Sequence, residues 1–373
     1  LLVMELSRVV HRELFWMNVV LIFYTLWGYL SPIDFFWHPG TSFHRVITSS
    51  TVELSTGIYG QYAQIALTTI GAFLLLAAAA NGFGAQNAMV SFMRRIAGKS
   101  RHTSPQTAVL ASSAVGMISG SGAANATVVG AFTIPLMKRY GVPGEFAGAV
   151  ESAASMGGLL MPPVMAVAGF VMAEFLGVPY WNVVLRGFAL AFVYYSTLSL
   201  SVYLMSVSTM PGSAIEGSTM PVYEQIKTAI FFIGIIYLTV IMGVFNYGEQ
   251  LAGLYTGAFM FGLLVLLFLY FKYVRKDQAT GQDGILRNLR IMIETHAEMT
   301  SYLLLLLSTL GIMIGLFTVT GFINRMGGML LKVGEWHVIA MVVMAWIFGW
   351  LVGTGLPPTA TYIILAVIIV APM

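Results

Sequence analysis

Apolar runs separated by short polar segments make up most of this chain, and their lengths sort them into three kinds. Six runs are long enough to cross roughly 30 Å of hydrocarbon as helices at about 1.5 Å per residue. They are Leu14 to Leu30, Gly57 to Ala80, Asn182 to Val207, Thr228 to Phe245, Leu251 to Phe271 and Leu303 to Phe322. Two others are too short to span: Pro105 to Ile118 has 14 residues, and Trp336 to Trp350 is of similar length. A third kind is amphipathic. In Gln86 to Ala97, Met89, Val90, Phe92, Met93 and Ile96 recur at helical spacing against Arg94, Arg95 and nearby Lys99. That pattern describes a helix lying in the headgroup plane, with a solvated loop as the plainer alternative. Ile285, Leu286, Leu289, Ile291, Met292 and Ile293 predict a second such helix within the charged connection Lys272 to Thr300. Ser31 to Glu53, Ser208 to Glu224 and Asn324 to Glu335 read as polar connections.

Each short arm runs into a glycine break. The first is Ser119-Gly120-Ser121-Gly122, followed by Asn125, Thr127 and an arm over Ala126 to Met137; the second is Gly353-Thr354-Gly355, followed by Thr359 and Thr361. Gly353 lies 233 residues after Gly120, and each break is followed by a proline, Pro135 or Pro372. Unpaired backbone groups are costly in hydrocarbon, so such breaks persist at membrane depth only where protein or a water-filled cavity surrounds them. The short arms therefore predict two re-entrant helical hairpins, 105–137 and 336–373. Between them, Phe146 to Leu176 exceeds one plain helix and is cut at Met156-Gly157-Gly158-Leu159-Leu160-Met161-Pro162-Pro163. Pro162-Pro163 is expected to start a new half-helix and to leave carbonyls free before it.

The fold class predicted is an all-α integral membrane protein, a transporter of inverted-repeat type with two re-entrant hairpins, discontinuous helices and interfacial arm helices. The segments expected are a first helix with an external loop (1–56), a scaffold helix with an arm helix (57–104), and a first transport repeat (105–181) holding the hairpin and the broken helix 146–176. A connecting helix and linker (182–227), scaffold helices with a second arm (228–300), and a scaffold helix with a partial second repeat (301–373) follow.

Composition agrees with a membrane protein. Of 373 residues, 58% are hydrophobic and 9% charged, against roughly a quarter charged in a soluble domain, and mean hydropathy is +0.84. With no Cys and no His-Glu-x-x-His motif, neither a disulfide framework nor a transition-metal site is expected. A net charge of +3 sits in short loops, which sets orientation and does not point to nucleic acid. With the start of the chain cytoplasmic and both short arms making hairpins, fourteen Lys and Arg fall on the cytoplasmic side against three (Arg45, Arg325, Lys332), with Arg186 inside a span. Leu1 to Glu13 lacks the order of a secretory signal and reads as starting mid-protein. An intramembrane serine protease built on Ser121 would need a base within reach, and no His falls in a predicted span.

The breaks have a definite chemistry. Carbonyls left open where a helix ends at glycine, with Ser or Thr hydroxyls, replace the hydration shell of a small cation. Half-helix N-termini beside them attract a carboxylate. Helix packing through small residues is the alternative use of such glycines. Glu151, at membrane depth, is either a proton carrier or a hydrogen-bonded orienter of the broken-helix loop. Glu174 reads as an interface residue or a binding-protein contact, and Arg186 as a snorkelling side chain.

The runs Ser119 to Asn125, Phe132 to Arg139, Glu145 to Glu151 and Gly157 to Pro163 resemble the large permease subunit of tripartite ATP-independent periplasmic (TRAP) transporters. Glu174 to Tyr180 and Gly355-Leu356-Pro357, with Thr359 to Tyr362 and Ala371-Pro372, resemble its TAXI subfamily, in which small and large membrane subunits are fused. The resemblance covers residue 57 to the end and implies cation-coupled import of a small organic acid (a carboxylate) across the bacterial inner membrane by an elevator mechanism. Its implied partners are a periplasmic solute-binding protein, membrane lipid and the remainder of the same fused permease. No cofactor is implied beyond a coupling ion, Na+ or H+. Carried over by motif, one cation site uses Ser119, Gly120, Ser121 and Asn125 with Gly157 and Gly158, and a second uses Thr354, Gly355, Thr359 and Thr361. Substrate would meet Ser121, Asn125, Pro162 and Thr359. The chain stops one residue after Pro372, so the loop partnering the second site is expected beyond Met373. A carboxylate symporter that needs no binding protein stays open as the alternative.

Overall fold

The computed structural model describes residues 1–97, 103–209, 220–275, 284–354, 356 and 358–367. It is helical, with no strand among the described residues. Six helices are long and apolar enough to cross a membrane: Arg12–Leu30, Gln61–Gly82, Tyr180–Ser208, Val222–Gly243, Glu249–Val274 and Ile285–Thr320. Five of them match long runs read from sequence to within a few residues, and the sixth, Ile285–Thr320, contains most of the last run and extends well before it. The chain divides into two compact units, residues 1–68, 170–177 and 300–373 in one and residues 69–169 and 178–299 in the other.

The first unit holds α1 (Leu2–Val10), α2 (Arg12–Trp27) and α3 (Phe43–Thr51). Ser31 to Glu53, read as a loop, therefore contains a helix, and Ser42 caps it by accepting from the Arg45 amide at 3.3 Å. Val46, Ile312 and Leu316 form a buried core against α1 and α2. Asn18 donates from Nδ2 to the Thr309 carbonyl at 3.1 Å, and the Gly57 amide donates to the Gly311 carbonyl at 3.0 Å.

The second unit begins within the helix that runs from α4 (Gln61–Ile65) through a π-turn into α5 (Gly71–Gly82). It continues with α6 (Ala85–Ala97), α7 (Ser104–Ser119), α8 (Gly122–Arg139) and α9 (Gly144–Gly157). Then come α10 (Val167–Leu176), most of which belongs to the first unit, and α11 (Tyr180–Thr209), α12 (Val222–Gly243) and α13 (Glu249–Leu269) of the second. Helix α6 is the first amphipathic segment, but Met89, Val90 and Met93 are buried, and the helix packs on α7 and α12. Its apolar stripe faces protein, which a periodicity argument cannot tell from lipid.

Two connections turned out to be helix. Helix α14 (Ile285–Thr320) is continuous for 36 residues, so the second arm and the last long span are one element. Nothing from Ile285 to Leu310 is Gly or Pro, so nothing breaks it. Helix α15 (Phe322–Trp336) covers Asn324 to Glu335 after Gly321, at φ +69°, ends α14. Phe322 stacks on Phe317 at 5.0 Å between ring centres, and Arg325 donates to the Trp37 carbonyl. Helices α16 (Val338–Gly353) and α17 (Pro358–Leu365) complete the first unit.

Candidate functional site

Helices α7 and α8 fold back on each other around Gly120 and Ser121. Pro105 sits in the first turn of α7, where its missing N–H costs nothing. Gly120 ends the helix at φ +56° and ψ +9°, a left-handed conformation that favours glycine. Ser121 is extended and caps α8, its Oγ accepting from the Ala124 amide at 3.3 Å and its carbonyl from the Asn125 amide at 2.9 Å. The first-turn amides of Gly122 and Ala123 come ahead of those two bonds, at the positive end of an 18-residue helix.

Across from the tip, α9 ends at Gly157 and α10 starts only at Val167. The helix restarts after Pro162-Pro163 and does not begin with it. The prolines lie in the connecting turns, joined by a cis peptide, and Met165 takes φ +55°. The loop ties to α7 through the Val164 amide, which donates to the Met117 carbonyl at 3.2 Å. Tyr180 Oη donates toward the Pro163 and Val164 carbonyls, within 2.9 Å of the first and 2.5 Å of the second. The carbonyls expected to be free before the prolines are instead met by backbone amides: Gly157, Gly158, Leu159 and Met161 accept from Leu160, Met161, Ala166 and Met165.

Contact between the two breaks needs small residues. A Cβ built on Gly120 would lie 2.2 Å from the Met165 carbonyl oxygen. One on Gly116 would lie 2.6 Å from the Gly158 Cα, and one on Gly158 would lie 2.7 Å from Asn125 Nδ2. Gly157, its neighbour, faces the other way, under the rings of Tyr194 and Tyr195. These tyrosines donate to the carbonyls of Ala153 at 2.8 Å and Ala154 at 2.9 Å. Pro162 is buried, its ring facing Gly187 of α11. Ser119, Gly120, Asn125 and Gly158 are thus gathered around the tip, Ser121 serves as a cap beside them, and Gly157 and Pro162 face α11.

Two oxygens in this cluster stand out. Asn125 is fully buried; its Nδ2 donates to the Ser112 carbonyl at 2.8 Å, but its Oδ1 has no hydrogen-bond partner among the described residues. Ser119, 6% exposed, likewise has an Oγ without a partner among them. A buried polar atom left unpaired costs about 1–3 kcal/mol, and such atoms suit a bound water or a cation that takes oxygen ligands.

One turn deeper lies Glu151, 2% exposed. Its Oε1 accepts from Ser112 Oγ at 3.0 Å and Ser155 Oγ at 2.8 Å, and its Oε2 accepts from Thr133 Oγ1. Gly130 leaves room for it: a Cβ there would sit 3.1 Å from Glu151 Cγ. Helices α7, α8 and α9 meet on this carboxylate, whose three partners lie on those helices and not in the broken-helix loop. Glu174 is exposed and accepts from Gln61 Nε2 at 2.5 Å, and exposed Arg186 donates to its own helix at the Asn182 carbonyl.

The second break belongs to the first unit. Helices α16 and α17 pack on each other, with Leu365 closing over Gly349. Thr361 Oγ1 lies 3.5 Å from the Leu356 carbonyl, Thr354 is exposed and Thr359 half-buried. Gly355, Pro357, Ala371 and Pro372 lie outside the described residues. No group of His, Asp and Glu able to hold a metal ion occurs among the described residues.

Sequence reasoning missed Ser112, Thr133, Ser155 and Tyr180. Ser155, four residues after Glu151, was the one with a readable signal.

Comparison with curated proteins gave no match. The family model described as "Tripartite ATP-independent periplasmic transporter, DctM component" matches residues 1–373, including the first 56. Long apolar helices, paired glycine breaks and a match over the whole length agree: this chain belongs to the DctM family of TRAP transporter permeases, a family of multi-pass membrane transporters rather than enzymes.

Proposed function

We propose that this chain imports a small organic acid across the bacterial inner membrane, driven by sodium, with the substrate handed over by a periplasmic binding protein. The observation that carries the reading is the pair of buried oxygens, Ser119 Oγ and Asn125 Oδ1, left without partners where the hairpin meets the broken helix. They are hard ligands of the kind a sodium ion takes, and the α8 amides of Gly122 and Ala123 offer a positive helix end to a carboxylate beside it. Glu151, met by three hydroxyls, holds the three helices in register and is not needed as a proton carrier.

In this reading the α7–α8 hairpin enters the membrane from the cytoplasm, α16–α17 enters from outside, and the cation and substrate move together with the hairpins in an elevator step. Thr354, Gly355, Thr359 and Thr361 contribute to a second cation site. The strings Glu174 to Tyr180 and Gly355-Leu356-Pro357 favour the TAXI subfamily. A monocarboxylate moving with two sodium ions brings in one net positive charge, which gains ~2.3 kcal/mol per 100 mV, roughly a fifty-fold gradient.

Reconstitution of the purified permease in liposomes tests this. Uptake is expected only with both the binding protein and an inward sodium gradient. Uptake driven by ATP, or equal uptake without the binding protein, would overturn it.

A further inference from the structure

The second unit carries a cavity of about 290 Å³, away from the hairpin tip, lined by Asn87, Tyr223, Glu224, Lys227, Arg287 and Asn288 among others. From the chemistry of these residues we infer that the cavity binds a phosphate ester, supplied by the headgroup of a phospholipid. Three observations meet there.

The first is charge. Among the described residues that line the cavity, Lys227 and Arg287 are cations and Glu224 is the one carboxylate. Lys227 Nζ sits 4.1 Å from the Tyr223 ring centre and 3.5 Å from where a Cβ on Gly84 would be. Gly84 has φ +69° and turns the chain into α6 beside the ammonium.

The second is backbone. Helices α6, α12 and α14 all begin at this cavity. The first intrahelical bonds of α6 and α12 start from the Ala88 and Gln225 amides, and in α14 the Gly284 carbonyl is met first by Arg287 and Asn288. The amides ahead of these have no partner within their helix, and three positive helix ends converge.

The third is a buried side chain. Asn288 lines the cavity at 8% exposure, and its side-chain amide makes no hydrogen bond among the described residues. A phosphate oxygen accepts from that amide, from the ammonium and from the guanidinium, while Glu224 accepts from a headgroup hydroxyl. Lys227 and Arg287 lie on the side that the charge bias makes cytoplasmic, where basic pockets between helices meet anionic headgroups.

The test is lipid binding by the purified chain in detergent, followed by native mass spectrometry and thermal unfolding. Phosphatidylglycerol should bind and raise the unfolding midpoint by several degrees, and phosphatidylcholine, which has no headgroup donor, should do neither. The double variant K227Q/R287Q should weaken phosphatidylglycerol binding by about 30-fold, the expected effect of two juxtamembrane cations. Asn288→Asp keeps the shape but adds a negative charge; it should give the same loss and serves if the double variant fails to fold. Glycerol phosphate in place of lipid distinguishes the source. If it alone protects, and only in the wild-type chain, the phosphate site stands but its lipid source is overturned. No binding of either, or variants that bind phosphatidylglycerol like wild type, would overturn the site.

Discussion

Asn125 reaches across the hairpin and donates to the Ser112 carbonyl at 2.8 Å, so one side chain both locks the two arms together and presents a buried oxygen at their tip. Ser112 spends its own hydroxyl on Glu151. The tip and the carboxylate are therefore coupled through a single residue of α7.

Asn125→Ala should separate the two jobs. It removes the hydrogen bond to the Ser112 carbonyl that ties α8 to α7, which costs about 0.5–1.5 kcal/mol and lowers the unfolding midpoint. It also removes a cation ligand, so the sodium concentration for half-maximal uptake should rise. A lower midpoint with unchanged sodium dependence would restrict Asn125 to packing.

Glu151→Gln should retain uptake. The amide keeps an acceptor for Ser112 and Ser155 and offers Thr133 a donor where the carboxylate was an acceptor, which a hydroxyl accommodates by turning. Glu151→Ala strands the hydroxyls and opens a cavity between three helices, a loss of about 2–4 kcal/mol read as a lower unfolding midpoint. Loss of uptake in the folded Gln variant would make Glu151 a proton carrier instead.

Gly120→Ala and Gly116→Ala should each impair folding or uptake, because the added carbon meets backbone that has no way to turn aside, Met165 O at 2.2 Å and Gly158 Cα at 2.6 Å. Gly148 on α9 is the control: nothing lies within 4 Å of a Cβ there, and alanine in mid-helix should stabilise by about 0.5–1 kcal/mol. Thermal unfolding of the three variants checks the contrast.

Tyr180→Phe removes the hydroxyl that meets the Pro163 and Val164 carbonyls. A loss of about 1–2 kcal/mol is expected in the unfolding midpoint, with uptake reduced because the broken-helix loop is no longer held.

The spans and both glycine breaks were legible because run length and hydroxyl-rich interruptions are one-dimensional signals. The arrangement around Glu151 was not, since Ser112, Thr133 and Ser155 come from three helices whose rotation no spacing fixes. Gly157 and Gly158 make the same point: adjacent in sequence, they face opposite neighbours, Tyr194 and Gly116. The first half of α14 was read as a separate interfacial helix because Arg287, Arg290 and Glu294 interrupt its apolar residues, although without Gly or Pro helix propensity carries it through into the span.

The most direct test of the proposed cation site is the sodium dependence of binding-protein-dependent uptake in Ser119→Ala. That substitution removes only a buried hydroxyl that makes no hydrogen bond among the described residues, so the fold should be unchanged or slightly more stable in sodium-free buffer. The account predicts that half-saturation by sodium rises about ten-fold, the loss of roughly 1.4 kcal/mol of cation binding. A variant that takes up substrate with wild-type sodium dependence would contradict it.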